Sequence, residues 1–257
     1  MKTRWHYLLI CVCLWAGCQT IPVTNTVTQY STIDALLAGA YDGVAPCQEV
    51  LQYGDLGIGT FDRLDGEMVV LDGVVYQVPV SGQVRRVEPS MTTPFASVCF
   101  FKADMAIPLD SSTSFDMLKT RMDQAVPNAN VFCAVKLHGR FKTMKTRSVP
   151  AQKKPYPALA EVVESQAVFD MKDVTGSIVG FRSPPYVKGI NVPGYHLHFL
   201  SDDRTQGGHI LAFDMDEGTC QLDILDRLYM ILPEDGQGLE GLDLAEDRAK
   251  ELEKVEQ

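Results

Sequence analysis

Three dipeptides constrain the folding of this chain more than any other feature. Asp65-Gly66, Asp72-Gly73 and Ser81-Gly82 punctuate the apolar runs Thr60–Leu64, Glu67–Leu71 and Val74–Val80. Asp-Gly tolerates the positive φ angles that a two-residue hairpin turn demands, so this stretch predicts an antiparallel meander. Further strands are predicted at Ala96–Lys102, Asn130–Leu137, Arg140–Met144, Gln166–Asp170 and Gly176–Arg182, then at Tyr195–Leu200, His209–Met215 and Cys220–Ile224. Helical apolar spacing recurs at Ile33–Tyr41, where Ser31 or Thr32 can cap, and at Phe115–Val126, Ala158–Glu164 and the tail from Gly238 to Gln257. Long β runs with interspersed helices predict an α/β fold of the mixed α+β kind, built as a pair of packed sheets.

Pro150, Pro155 and Pro157, with Lys153 and Lys154 among them, mark a boundary. The expected division is an N-terminal β-rich domain at 30–149 and a C-terminal metal-binding domain with a terminal helix at 150–257. At the other end, Lys2 and Arg4 precede the apolar run Leu8–Ala16. That run is too short to cross a bilayer of about 30 Å as a helix, and with its basic start it predicts a secretory signal over residues 1–17. Leu14-Trp15-Ala16-Gly17-Cys18 resembles the bacterial lipoprotein signal, with Trp15 in place of the usual Leu-like residue. The resemblance implies lipidation at Cys18 and a membrane anchor; a conventional signal peptide cut nearby is the alternative. Residues 18–29, polar and rich in Thr, are expected to form a tether. The protein is thus expected to be exported, either membrane-anchored or free in the periplasm or outside the cell.

Composition narrows the partners. The formal net charge is −10 and the pI is near 4.9. Binding nucleic acid through its phosphates requires clustered Lys and Arg, so no nucleic-acid partner is expected. Four cysteines lie beyond Cys18: Cys47, Cys99, Cys133 and Cys220. No CxxC spacing exists, which leaves a thiolate metal site unsupported. Cys99 and Cys133 sit in apolar runs and are expected as buried free thiols. Gly57-Ile58-Gly59 is followed by a meander rather than a helix, which rules out a dinucleotide fingerprint.

The chemistry concentrates in the histidines. His196 and His198 are separated by one residue, so in a strand both point to one face. The polar segment Ser201–Gly208 predicts a hairpin loop that returns the chain to His209. If Leu200 and His209 face each other, His209 shares that face, diagonal to His198 at about 7–8 Å. Three neutral imidazoles suit zinc, and three protein ligands with an open position is the catalytic arrangement. These residues point to a three-histidine metal site without naming its reaction, and a cupin-like oxygenase, a carbonic-anhydrase-like hydratase and a non-catalytic zinc-binding lipoprotein all stay open. Arg147 stands out within the basic stretch Lys142–Lys154, because a planar guanidinium can clamp a carboxylate with paired hydrogen bonds. Glu67 and the tail glutamates stay unassigned on these grounds.

Gly194-Tyr195-His196-Leu197-His198-Phe199-Leu200 with Gly207-Gly208-His209 resembles the metal-binding region of bacterial α-acetolactate decarboxylases. Gly57–Phe61, Leu64–Met68, Leu71–Gly73, Met91–Phe95, Lys145–Arg147 and Gly180–Pro184 match that family in the same order. The resemblance spans Tyr30 to Glu256. It implies two closely packed α/β domains with a shared cleft, and decarboxylation of 2-acetolactate to acetoin with the R product favoured. By the same resemblance His196, His198 and His209 bind zinc, Glu67 and Glu256 complete the metal's surroundings as catalytic groups, Arg147 addresses the substrate and Thr60 lines the pocket. Glu253 is the alternative tail residue. A homodimer is implied, and no organic cofactor.

Overall fold

A computed structural model describes residues 24–256. The signal at 1–17, Cys18 and the start of the tether lie outside the described residues. β1 (Thr26–Tyr30), β3 (Leu56–Thr60), β4 (Glu67–Leu71), β5 (Val74–Val78), β6 (Arg85–Arg86), β8 (Ala96–Cys99) and β14 (Arg227–Ile231) form one mixed sheet. Its order is β14-β1-β8-β3-β4-β5-β6, with β1 and β14 parallel. β2 (Ala45–Pro46) and β7 (Thr92–Thr93) make a small ribbon beside it. Thr26–Gln29, expected as tether, are therefore part of β1, where alternation of Val27 and Thr28 across a buried sheet fixes them.

The meander follows its turn chemistry. Asp72 and Gly73 both take positive φ (52° and 73°), the signature of a two-residue primed turn, and Leu71 faces Val74. The strand expected at Thr60–Leu64 ends instead at Thr60. Beyond it Asp62–Leu64 form a single 3-10 turn, since Arg63 and Leu64 adopt left-handed backbone that an extended chain cannot accommodate. β3 and β4 still pair, with Thr60 opposite Glu67.

The second sheet contains β9 (Met105–Leu109), β10 (Phe132–Ser148), β11 (Ala167–Ser183), β12 (Gly194–Ser201) and β13 (Gly207–Leu225). β10 pairs with β11, β11 with β12, β12 with β13, and β13 with β10 again, so the pairings close a ring. Six predicted strands are here three long ones, because Gly139, Gly176 and Gly218 face one another in register and bend the ladder without ending it. A Cβ on Gly139 would stand 2.6 Å from Met215 Cε, and one on Gly176 the same distance from the Phe199 ring. The boundary expected at residue 150 falls between β10 and β11, which pair along most of their length. The sheets divide the chain differently: the first takes residues 26–99 and recovers β14, while the second takes the middle.

Packing explains where the site lies. Val135, Leu137, Phe141, Leu197 and Phe199 fill the ring, capped by Leu118 and Met122 of α3 (Phe115–Ala125). Ile58, Val69 and Leu71 of the first sheet pack against Phe132, Val179, Phe181 and Leu200 of the second. The opposite face of the first sheet is covered too, in part by α2 (Cys47–Val50) through Cys47 and Val50. Buried on both faces, it reads as continuous apolar runs. α1 (Ile33–Leu37), α4 (Leu159–Val162) and α5 (Ala249–Glu256) form a third apolar layer across one end of the interface. Thr32 caps α1, accepting from Ala35 N at 3.2 Å. Cys47, Cys99, Cys133 and Cys220 are buried free thiols.

Candidate metal centre

In β12, Leu197 and Phe199 enter the ring, so His196 and His198 point outward with Leu200 towards the first sheet. β13 begins directly opposite: His198 faces His209, Phe199 faces Gly208 and Leu200 faces Gly207. The partner of His209 is thus His198 rather than Leu200. The slip is two residues, an even number, which preserves the face and brings His209 closer than the diagonal expected. Gly208 makes this approach possible. It sits at φ 128°, and a Cβ there would meet the Arg147 carbonyl oxygen at 2.5 Å.

The three imidazoles form a triangle with ring centroids 5.1, 5.1 and 5.4 Å apart. One ring nitrogen from each lies within 4.8 Å of the others. His198 Nδ1 lies 2.8 Å from the Met68 carbonyl oxygen and donates to it. That bond fixes the tautomer and leaves Nε2 as a bare acceptor; it is buried and has no partner. His209 Nδ1 and Glu256 Oε2 are likewise buried and unpartnered. Burial lowers the His196 pKa to about 3 and holds His198 and His209 well below the usual imidazole range, with the Arg147 charge adding to the effect. All three rings are neutral at physiological pH, which is the form that ligates a metal. Three ring nitrogens this close together, with His198 Nε2 left bare, fit a divalent cation.

The carboxylates come from opposite directions. Glu67 opens β4 on the face shared with Val69 and Leu71, so the period of the strand aims it at the second sheet. Its Oε2 lies 3.6 Å from His198 Nε2. Glu256 ends α5, where Leu252, Val255 and Glu256 share one helical stripe. Its Oε2 is 4.0 Å from His196 Nε2 and 3.9 Å from His209 Nε2. Glu253 is exposed. Burial pushes the Glu67 carboxyl up to about 7, against the pull of Arg147 and with the push of Glu256. Glu256 also rises to about 7, chiefly through burial.

Arg147 sits in β10 opposite His209. Its Nη1 donates to Glu67 Oε1 at 3.2 Å and its Nη2 to the Val255 carbonyl at 2.9 Å, while Nε–H is buried without a partner. The guanidinium therefore ties β4, β10 and α5 together at the site. Thr60 lines the same cleft, and its hydroxyl donates to the Gly66 carbonyl at 2.8 Å. The structure brings Thr60, Glu67, Arg147, His196, His209 and Glu256 together around one cleft, with His198 behind them. Two participants could not be read from side-chain types: the Met68 and Val255 carbonyls act through backbone atoms alone.

Known proteins resemble this chain over most of its length. A family model described as Alpha-acetolactate decarboxylase matches residues 27–245. The Alpha-acetolactate decarboxylase of Methanosarcina mazei is 47% identical over 91% of this chain and 81% of its own length. That of Methylococcus capsulatus is 39% identical over 90% and 89%. Among solved structures, alpha-acetolactate decarboxylase from Bacillus subtilis strain 168 superposes with a TM-score of 0.87 at 35% identity, over 90% of this chain and 99% of that one.

Proposed function

Since this chain belongs to the alpha-acetolactate decarboxylase family, whose members convert 2-acetolactate to acetoin with loss of CO₂, we propose that it does so as a zinc enzyme through the residues gathered in this cleft. The other three-histidine enzymes and the zinc-storage lipoprotein give way to family membership. The observation that carries the zinc reading is the set of converging imidazole nitrogens, one of them fixed by the Met68 carbonyl and left bare.

In this reading His196, His198 and His209 hold the zinc, with Glu67 and Glu256 beside it. Held there, the ion would supply Lewis-acid stabilisation of negative charge developing on the ketone oxygen. Arg147 receives the substrate carboxylate; three of its five N–H donors remain after those given to Glu67 and Val255. The guanidinium orients the scissile carboxylate before the bond breaks; the carboxyl carbon then departs as neutral CO₂ and the electron pair of the broken bond stays on the substrate. The carbon left behind needs a proton. Glu67 and Glu256, each with a carboxyl titrating near 7, are matched to hold one at neutral pH and release it.

The test is acetoin formation by chain 19–257 from racemic acetolactate, before and after chelation, with elemental analysis alongside. Turnover lost on chelation and restored by zinc is expected. A His196→Ala protein with full turnover in metal-free buffer would overturn the scheme. We also propose export with a lipid on Cys18, on the strength of the Ala16-Gly17-Cys18 pattern, and a homodimer, on family resemblance. The mass of the mature N-terminus tests the first, and sedimentation of the soluble chain tests the second.

A further inference from the structure

The loop joining Thr60 to Glu67 carries two site residues at its ends and a strained residue between them. Arg63 and Leu64 are consecutive and both left-handed, at φ 61° and 60°. Residues with a Cβ avoid that region, and for a bulky apolar side chain it is a true outlier. Among the described residues, Leu64 is the one apolar side chain on such backbone. The conformation is fixed by its surroundings. Arg63 N donates to the Tyr41 carbonyl at 2.7 Å, Gln152 N donates to the Arg63 carbonyl at 2.7 Å, and Gly66 N donates to the Leu64 carbonyl at 2.7 Å. Asp62 Oδ1 accepts from Gly43 N at 2.8 Å, and Gln77 Nε2 donates to the Asp65 carbonyl.

The strain places the Leu64 side chain, 1% exposed, in the wall of the cleft. The same cleft is lined by the apolar side chains of Ile33, Leu36, Phe95 and Leu159 and by the polar groups of Arg147, His196 and His209. 2-Acetolactate has two apolar parts, its methyl groups. With its oxygens and carboxylate on those polar groups, the methyls are left to the apolar side chains.

We propose that Leu64 is a specificity-determining residue that limits the size of the alkyl group the cleft accepts. The inference rests on the reading of this cleft as the substrate site. The other wall residues sit on ordinary helical or extended backbone, where their position follows from the packing of their elements. Leu64 is held against its own conformational preference, and filling the cleft is what that arrangement achieves.

The test compares turnover of 2-acetolactate with that of 2-ethyl-2-hydroxy-3-oxobutanoate, which carries ethyl in place of one methyl. Leu64→Gly keeps the left-handed backbone without strain, and Leu64→Ala keeps a Cβ. In both, the ratio of kcat/KM for the ethyl over the methyl substrate is expected to rise at least about tenfold, the scale of one methylene in an apolar pocket. Arg63→Gly, which relieves strain but retains Leu64, should leave the ratio as in the wild type. A ratio within about twofold of the wild type, with turnover retained, would overturn the proposal and leave the metal-site reading intact. Folded, metal-loaded variants inert to both substrates, or loss of fold in both, would also overturn it, since Leu64 would then be a prop of the core. Failure of the site reading itself registers separately, as activity surviving in His196→Ala.

Discussion

The imidazoles and Glu256 meet at one place, yet the elements that bring them there differ in kind. His198 and His209 are buried on strands of the closed ring, each fixed by ladders on both sides. Glu256 arrives at the end of a segment that leaves the first sheet at Ile231 and wanders through one 3-10 turn, Glu234–Gly236. Gly236, Gly238 and Gly241 take positive φ there, and Leu232 and Leu244 are exposed. α5 has eight residues, too few for a stable helix without tertiary contacts. It docks through Leu252 and Val255, while Arg248 gathers the arm by donating to Glu246, Glu251 and the Asp243 carbonyl. The grip on a cation is preorganised by the sheet. The carboxyl proposed to handle a proton beside it, Glu256, depends on the docking of an arm.

The contrast can be broken at either end. Removing a strand-borne ligand should have the largest effect: His198→Ala is expected to lose both the metal, by elemental analysis, and all measurable acetoin formation. Retained metal would mean the ring does not hold it. Glu256→Gln should instead keep the metal and lose about 10²- to 10⁴-fold in kcat, the range for a general acid or base. Arg248→Met should cost less, about tenfold in kcat, as is fitting for partly exposed ion pairs within the arm. Hydrogen exchange should quicken in residues 249–256 and stay unchanged in β12 and β13.

The smallest effect sharpens the comparison through pH. Burial raises the Glu67 and Glu256 carboxyls to about 7 in the folded protein, above the ordinary 4.5 of a glutamate. At these two groups the folded state binds more protons than the unfolded state between those values, so their contribution to stability falls as pH rises through that window. In chelated protein the three buried imidazoles oppose this, since the unfolded chain takes up their protons below about pH 6.5; the carboxyls therefore register as a difference, the urea midpoint of the wild type falling between about pH 5 and pH 7 relative to that of Glu67→Gln with Glu256→Gln. Glu67→Gln with Glu256→Gln should leave the imidazoles alone to set the slope, so that stability rises more steeply with pH than in the wild type.

What the sequence disclosed divides along the same line. His196 and His198 were legible because strand periodicity is two, and a hairpin register can slip by two without turning a side chain away. Asp72-Gly73 was legible because few dipeptides accept consecutive positive φ. The bent strands β10, β11 and β13 were not, because a glycine that bends a ladder and a glycine that ends one look alike in sequence. The expected tail helix from Gly238 shrank to Ala249–Glu256, where Asp247 accepts from Ala249 N at 3.0 Å and starts it; the apolar spacing of Leu242 and Ala245 was outweighed by Gly238 and Gly241. Glu67 and Glu256 lie far apart in the chain, and only family resemblance joined them to the histidines. The Met68 and Val255 carbonyls left no trace at all, since every residue has one.

The ring of strands is fastened unequally. β10 runs beside β11 and β13 for most of their length, but β12 meets β13 through just three residue pairs, and His198 facing His209 is one of them. A cation shared by those two rings would rivet the narrowest joint of the barrel. Loading the protein with metal should then tighten that joint by mass action, so the reagent that turns over substrate also serves as a fastener of the scaffold that presents it.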